Sequence, residues 1–133
     1  MGLRERVHFT QTTSFDAMRQ ILWQCDLALC PRVSPFGFPI KLLNYLAAGK
    51  PVVVCQGSAD GIRHLVDGWV VPDDDVGAFS QAIVALLKDS GLRRKLSENA
   101  RMTARERFSW DRLAPRYEEV YGRTLRSWRA SSW

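Results

Sequence analysis

The chain has 133 residues and a mass of 15.2 kDa, with 46% hydrophobic and 25% charged residues. Length and composition indicate one globular domain and exclude disordered and collagen-like states. The formal net charge of +5 is uneven: residues 1–91 hold 8 Lys/Arg and 9 Asp/Glu, whereas residues 92–133 hold 11 and 5. The basic end reads either as a solvated helical surface or as a face for phosphate groups of lipid or nucleic acid.

Residues 1–6, Met-Gly-Leu-Arg-Glu-Arg, have no apolar stretch behind their charges and do not read as a secretory signal. Arg6 stands where a myristoylation signal takes Ser or Thr. Residues 7–10 predict a short strand. Ser14 can N-cap a helix whose Met18, Ile21, Leu22 and Cys25 share one face. Residues 27–30 form an apolar strand stopped by Pro31, and the Pro- and Gly-containing stretch 31–39 forms a loop. Pro39 suits the first turn of a helix running to Ala48, with Gly49 as its left-handed terminal residue. The unbroken apolar run 51–55 marks a strand buried on both faces. A turn at 57–61, one helical turn at 62–66 and a strand at 69–71 follow. Asp75 can cap a helix to Lys88 with Phe79, Ile83, Leu86 and Leu87 inward. Further helices are predicted over about 92–108 and after Ser109, the latter kinked by Pro115, with residues 130–132 fraying.

Alternating strands and helices predict an α/β fold: a Rossmann-like parallel sheet of about four strands flanked by helices. Ligands of such sheets bind beyond the carboxyl ends of the strands, here residues 10–14, 31–39, 56–61 and 72–75. No apolar run approaches the roughly 18 residues of a membrane span. Cys25, Cys30 and Cys55 include no C-x-x-C pair, which argues against a disulfide scaffold or zinc ribbon and suits a reducing compartment.

The informative segment is 34–54, where a glycine-containing loop runs directly into a helix N-terminus. Backbone N–H groups of Gly37, Phe38, Ile40 and Lys41 could face an anion such as a diphosphate, while Pro39 has none to offer. Asn44, one turn further, could hydrogen-bond a sugar hydroxyl. By spacing alone the same stretch also reads as an ordinary strand-to-helix loop. His8 and His64 are too far apart in sequence to suggest a metal site. Asp73, Asp74 and Asp75 read as a helix-capping turn before an ion site. Ser34 and Ser58 lack a paired base, so nucleophilic catalysis has no support.

This segment resembles the core motif of the family-4 glycosyltransferases, Glu-Gly-Phe-Gly/Pro-Leu/Ile-x-Leu-Leu-Glu-Ala/Tyr-Met-Ala-x-Gly-Lys-Pro-Val-Val. Gly37, Phe38, Pro39, Ile40, Leu42, Leu43, Tyr45, Ala47, Gly49, Lys50, Pro51, Val52 and Val53 match in register. Residues 25–31, 60–72 and the closing stretches with Asn99-Ala100-Arg101 and Arg107-Phe108-Ser109-Trp110 extend the resemblance over nearly the whole chain. The resemblance implies the C-terminal half of a GT-B fold. It also implies retaining transfer of a sugar from a UDP- or GDP-type donor to an acceptor hydroxyl, without a metal cofactor. The donor-binding residues it implies are Gly37, Phe38, Pro39, Ile40, Lys41 and Asn44; it assigns no catalytic residue. Two positions depart from the pattern: Phe36 and Asn44 stand where the family has glutamates. The family's opening strand, its glycine-rich turn and its acceptor domain have no counterpart in these residues, so the chain reads as truncated at its N-terminal side.

The expected organisation is a partial nucleotide-sugar-binding domain over 1–109 and a closing helix with a frayed basic tail over 110–133. That helix carries Leu113, Tyr117, Val120 and Tyr121 on a face expected to meet an acceptor domain or partner chain. Trp128 and Trp133 beside Arg123, Arg126 and Arg129 suit peripheral contact with a membrane surface, placing the chain in the cytoplasm or at the inner face of the membrane. Nucleic acid is not expected as a partner, because the aromatics do not interleave with the basic residues. The competing reading is a non-catalytic remnant or partner subunit acting through protein contacts.

Overall fold

Four consecutive apolar residues need apolar cover on both sides, and that requirement organises the molecule. In the computed structural model, which describes residues 4–32 and 38–130, strand β2 (Val52–Cys55) is the buried centre of a three-stranded parallel sheet. It pairs with β1 (Ala28–Cys30) on one side and β3 (Trp69–Val71) on the other, with Val53 opposite both Leu29 and Trp69. Helices α1 (Phe15–Gln24) and α2 (Lys41–Ala47) precede and follow β1. After β3 come α3 (Val76–Lys88), α4 (Ser90–Arg107) and α5 (Trp110–Ala130).

Side chains alternate across β2, so its residues divide between two cores. Val52 and Val54 join Leu42 and Leu46 of α2, Cys30, Ile62 and Ala100. Val53 and Cys55 join Ala82 and Leu86 of α3, Val71 and Leu96. Helix α4 contributes Leu96 to one cluster and Ala100 to the other, which lets one helix close both layers. The capping chemistry follows the sequence: Ser14, Asp75 and Asp89 each accept a bond from a backbone N–H in the first turn of α1, α3 and α4.

The turn between α2 and β2 is tightly specified. Gly49 has φ +65, Gly49 N donates to Leu46 O at 2.8 Å, and Lys50 N donates to Tyr45 O at 2.8 Å. This pair of bonds satisfies the last carbonyls of α2 with a left-handed residue just past its end, as the sequence predicts. Lys50 then reaches back, its Nζ donating to Trp23 O at 3.0 Å and Cys25 O at 2.7 Å, and so caps α1.

Three sequence expectations fail. The sheet has three strands rather than about four: residues 7–10 form no strand, with Phe9 98% exposed, because no neighbouring strand among the described residues pairs with them. Residues 62–66 form turns instead of a helical turn, with Leu65 at φ +57 and a bridge between His64 and Gly68. Leu87 is half-exposed rather than inward, lying outside the stripe of Phe79, Ile83 and Leu86. The last helix runs on through Pro115 to Ala130, and the expected fraying falls largely outside the described residues.

Candidate functional site

Loops leaving the carboxyl ends of the three strands are tied side by side. Ser58 Oγ donates to Arg32 O at 2.7 Å, joining the loops after β2 and β1. Gly57 N donates to Asp73 Oδ1 at 2.9 Å, joining those after β2 and β3. Asp74 takes φ +60, and Asp75 Oδ1 accepts from Ala78 N at 2.8 Å. Asp73 and Asp75 are therefore committed to backbone donors, which supports the structural reading of the acidic triplet. Among the described residues no cluster of three His, Cys, Asp or Glu is placed to hold a metal ion.

The entry to α2 lies on this edge. Gly37 falls outside the described residues, as do Ser34 and Phe36. The Phe38 ring turns inward and stacks on Phe108 with centroids 5.9 Å apart, leaving only its backbone for a ligand. Pro39 O accepts from Leu42 N at 2.9 Å, and Ile40 O accepts from Leu43 N at 3.0 Å, which starts the helix. Ile40 occupies the cap position without a capping side chain and is 75% exposed. Its amide and that of Lys41 have no acceptor among the described residues. The Lys41 side chain is exposed beside them.

Phe38, Pro39, Ile40 and Lys41 are consecutive at the entry to α2, and Asn44, three residues after Lys41, is its neighbour along the helix. It is half-buried one turn along α2, in a groove of about 280 Å³ that Phe15, Met18, Leu22 and Trp23 of α1 line from the other side. No described group hydrogen-bonds its side chain.

Several matched motif residues turn out to build the fold. Gly49 and Lys50 shape and brace the turn before β2. His64 Nδ1 accepts from Val70 N at 3.2 Å and its ring meets Trp69 edge-on, a structural role. Burial pushes the Cys55 thiol up, and the Asp73 carboxylate adds to the shift, so Cys55 is held as a neutral core residue. Burial likewise raises the Tyr45 phenol.

Sequence reasoning missed Asp67, which is fully buried. Its Oδ1 accepts from Arg63 N at 2.6 Å, and its Oδ2 accepts from Arg63 Nε and Thr103 Oγ1, both at 2.8 Å. The Arg63–Asp67 spacing of four and the glycine at 68 were the available signal.

Residues 1–89 match the family described as Glycosyl transferases group 1. An uncharacterized glycosyltransferase of Methanocaldococcus jannaschii is 33% identical over 125 residues, which cover 91% of this chain and 31% of that protein. The sucrose-phosphate synthase of Thermosynechococcus elongatus superposes with a TM-score of 0.83 at 23% identity, over 94% of this chain and 32% of the other. Anabaena HepE, solved in complex with UDP-glucose, superposes with a TM-score of 0.81 at 23% identity, over 91% and 33%. The chain spans about a third of the length of these relatives. It belongs to the group 1 glycosyltransferases, and its fold is the Rossmann-like parallel sheet of GT-B enzymes.

Proposed function

We propose that this group 1 glycosyltransferase chain forms one wall of the donor site for a nucleoside-diphosphate sugar, of UDP or GDP type, in retaining transfer to an acceptor hydroxyl. The observation that carries the reading is the pair of amides at Ile40 and Lys41 that have no acceptor among the described residues, beside the Lys41 ammonium, on the carboxyl edge of a parallel sheet. Amides at the start of a helix and a cation answer the negative charge of a diphosphate. Gly37 and the backbone of Phe38 would extend the cradle, with Pro39 setting its turn. Asn44 would reach a ribose hydroxyl from the α1–α2 groove. The UDP-glucose complex of the Anabaena relative supports a uridine nucleotide over a guanosine one. The same donor set would meet the diphosphate without a metal cofactor.

In this reading residues 1–109 bind the donor, and residues 110–133 close the domain. Helix α5 leaves Tyr117, Val120, Tyr121 and Leu125 exposed, and these would be covered by an acceptor domain or partner chain. No helix among the described residues is long and apolar enough to cross a membrane. A cytoplasmic setting, with peripheral membrane contact through the basic tail, suits three free cysteines and the arginines of α5.

The test is amide NMR of the chain titrated with UDP-glucose, UDP, GDP and free glucose. Shifts concentrated at residues 37–44 for the nucleotides, and absent for glucose, are expected. Shifts centred on another surface would sink the assignment. A second reading, a non-catalytic partner subunit, is favoured by one observation: Phe36 and Asn44 replace both glutamates of the pattern. Absence of any nucleotide-dependent shift would favour it.

A further inference from the structure

A hollow of about 390 Å³ opens at the opposite end of the sheet, where the chain enters β1 and β2. Four cations line it: Lys50 from the turn before β2, and Arg93, Arg94 and Arg101 from α4. The single carboxylate on its wall is Asp26. Two of these cations are fixed in place by carbonyl oxygens. Lys50 is anchored to the end of α1, and Arg93 Nη1 donates to Leu86 O and Leu87 O, both at 2.6 Å. Carbonyls orient a charge without neutralising it. Arg94 and Arg101 have no acceptor among the described residues, although each guanidinium carries five N–H donors.

The walls are built rather than incidental. Ser97 Oγ donates to Gly49 O at 2.6 Å, locking α4 against the turn that holds Lys50. The Arg101 side chain lies across Gly49, in space that any Cβ at position 49 would occupy. The glycine therefore serves its left-handed backbone and also makes room for a cation. Like charges gathered in one hollow repel, and an anion relieves that repulsion.

We propose that this hollow is a second anion site, which takes a phosphate-bearing group of two or more negative charges, with Arg94 and Arg101 as its forked donors and Lys50 as a fixed point charge. Guanidinium forks match phosphate oxygens in pairs. The phosphate could come from a soluble diphosphate or from an anionic lipid headgroup, and the chemistry recognised is the same. The site stands at the far end of the sheet from the edge proposed for the donor, and it rests on its own residues.

Calorimetry of the full chain with inorganic pyrophosphate at low ionic strength tests it. The R94Q/R101Q pair should weaken binding by about tenfold or more, and R94Q alone should weaken it in part. The charge-matched pair K95Q/R105Q, on α4 but outside the hollow, should leave it unchanged. Thermal melts of all variants establish that each is folded. Equal loss in both double variants would reduce the effect to overall charge and overturn the proposal. So would pyrophosphate binding that UDP displaces and R94Q/R101Q leaves intact, or no binding at all by the unaltered chain. Sedimentation with vesicles containing phosphatidylglycerol, against phosphatidylcholine alone, separates the sources. Sedimentation lost in R94Q/R101Q identifies a headgroup, and pyrophosphate binding without sedimentation identifies a soluble phosphate.

Discussion

Arg63 and Asp67 form an ion pair of 2.7 Å in which the carboxylate is wholly buried and the guanidinium half-exposed. Thr103 of α4 donates to the same carboxylate oxygen, so the segment entering β3 is fastened to the helix that closes both cores. Removing the carboxylate leaves the Arg63 amide and the Thr103 hydroxyl without their acceptor. Asp67→Ala should cost roughly 2–3 kcal/mol, less than a fully buried pair because Arg63 reaches solvent. The midpoint of urea unfolding measures this. A loss below about half a kcal/mol would show that water replaces the carboxylate.

Gly49 faces two separate obstacles to substitution. Its backbone is left-handed, and the Arg101 side chain occupies the position of a Cβ. Gly49→Val should destabilise by roughly 1 kcal/mol or more. A double-mutant cycle of Gly49→Ala with Arg101→Ala separates the causes. The portion that survives without Arg101 is the backbone cost, and the rest is steric.

Raised thiol and phenol values give the fold an alkaline limit. Burial, the largest cause at both sites, holds the Cys55 thiol above its ordinary 9.0 and the Tyr45 phenol above its ordinary 10.0. The unfolded chain gives up these protons first, so it binds fewer protons than the native state as pH rises. Their stabilising contribution is complete below pH 9.0 and is lost as pH climbs through the ordinary values towards the native ones. Melting temperature should fall across that window, and Tyr45→Phe should flatten the later part of the fall. An unchanged profile in the variant would remove Tyr45 from the account.

The sheet and its helices were legible because their signals are local. Asp75 and Lys88 bracket α3, Gly49 marks the end of α2, and the run into Cys55 requires burial on both faces. Residues 7–10 look like a strand by composition, yet a strand exists only through its partner, and pairing is not written in four residues. Asp67 was illegible for a related reason. Its burial depends on Arg63 and Thr103, the latter 36 positions away. Of the candidate site, Phe38 to Lys41 lie where the chain enters α2, and Gly37 falls outside the described residues. Hydrophobic demand decides the rest: the Phe38 ring goes to the core, and the helical rotation that buries Leu42 and Leu46 turns Asn44 towards α1.

Donor affinity should be modest, because the described edge offers two amides and one lysine to a diphosphate. UDP or GDP should bind in the millimolar range at best, about −4 kcal/mol. Asn44→Ala should weaken binding by roughly 0.5–1.5 kcal/mol, the net worth of one neutral hydrogen bond. Asn44→Glu should be tolerated or improve it, since a charged acceptor bonds a hydroxyl about twice as strongly. Calorimetry decides: micromolar binding to this chain, or indifference to Asn44→Ala, would show that other groups hold the nucleotide.

Transfer itself demands more than donor binding. A glycosyl group moves only when donor and acceptor are held together and water is kept out. Residues 38–41 lie on an open edge, and their Ile40 side chain is three-quarters exposed. The chain spans about a third of its relatives' length, so most of what shapes a cleft in those proteins has no counterpart in these residues. His64, a plausible proton carrier by residue type, spends its Nδ1 on the backbone of Val70. Residues 1–133 alone should therefore release no nucleoside diphosphate from any labelled sugar donor, with any acceptor. An acceptor domain supplied in trans should restore some release by covering the exposed face of α5, and Tyr117→Ser with Tyr121→Ser should abolish that rescue. The assay is nucleoside diphosphate release against a heat-killed control. Turnover by the isolated chain would make the open edge sufficient for catalysis and overturn the argument from water exclusion.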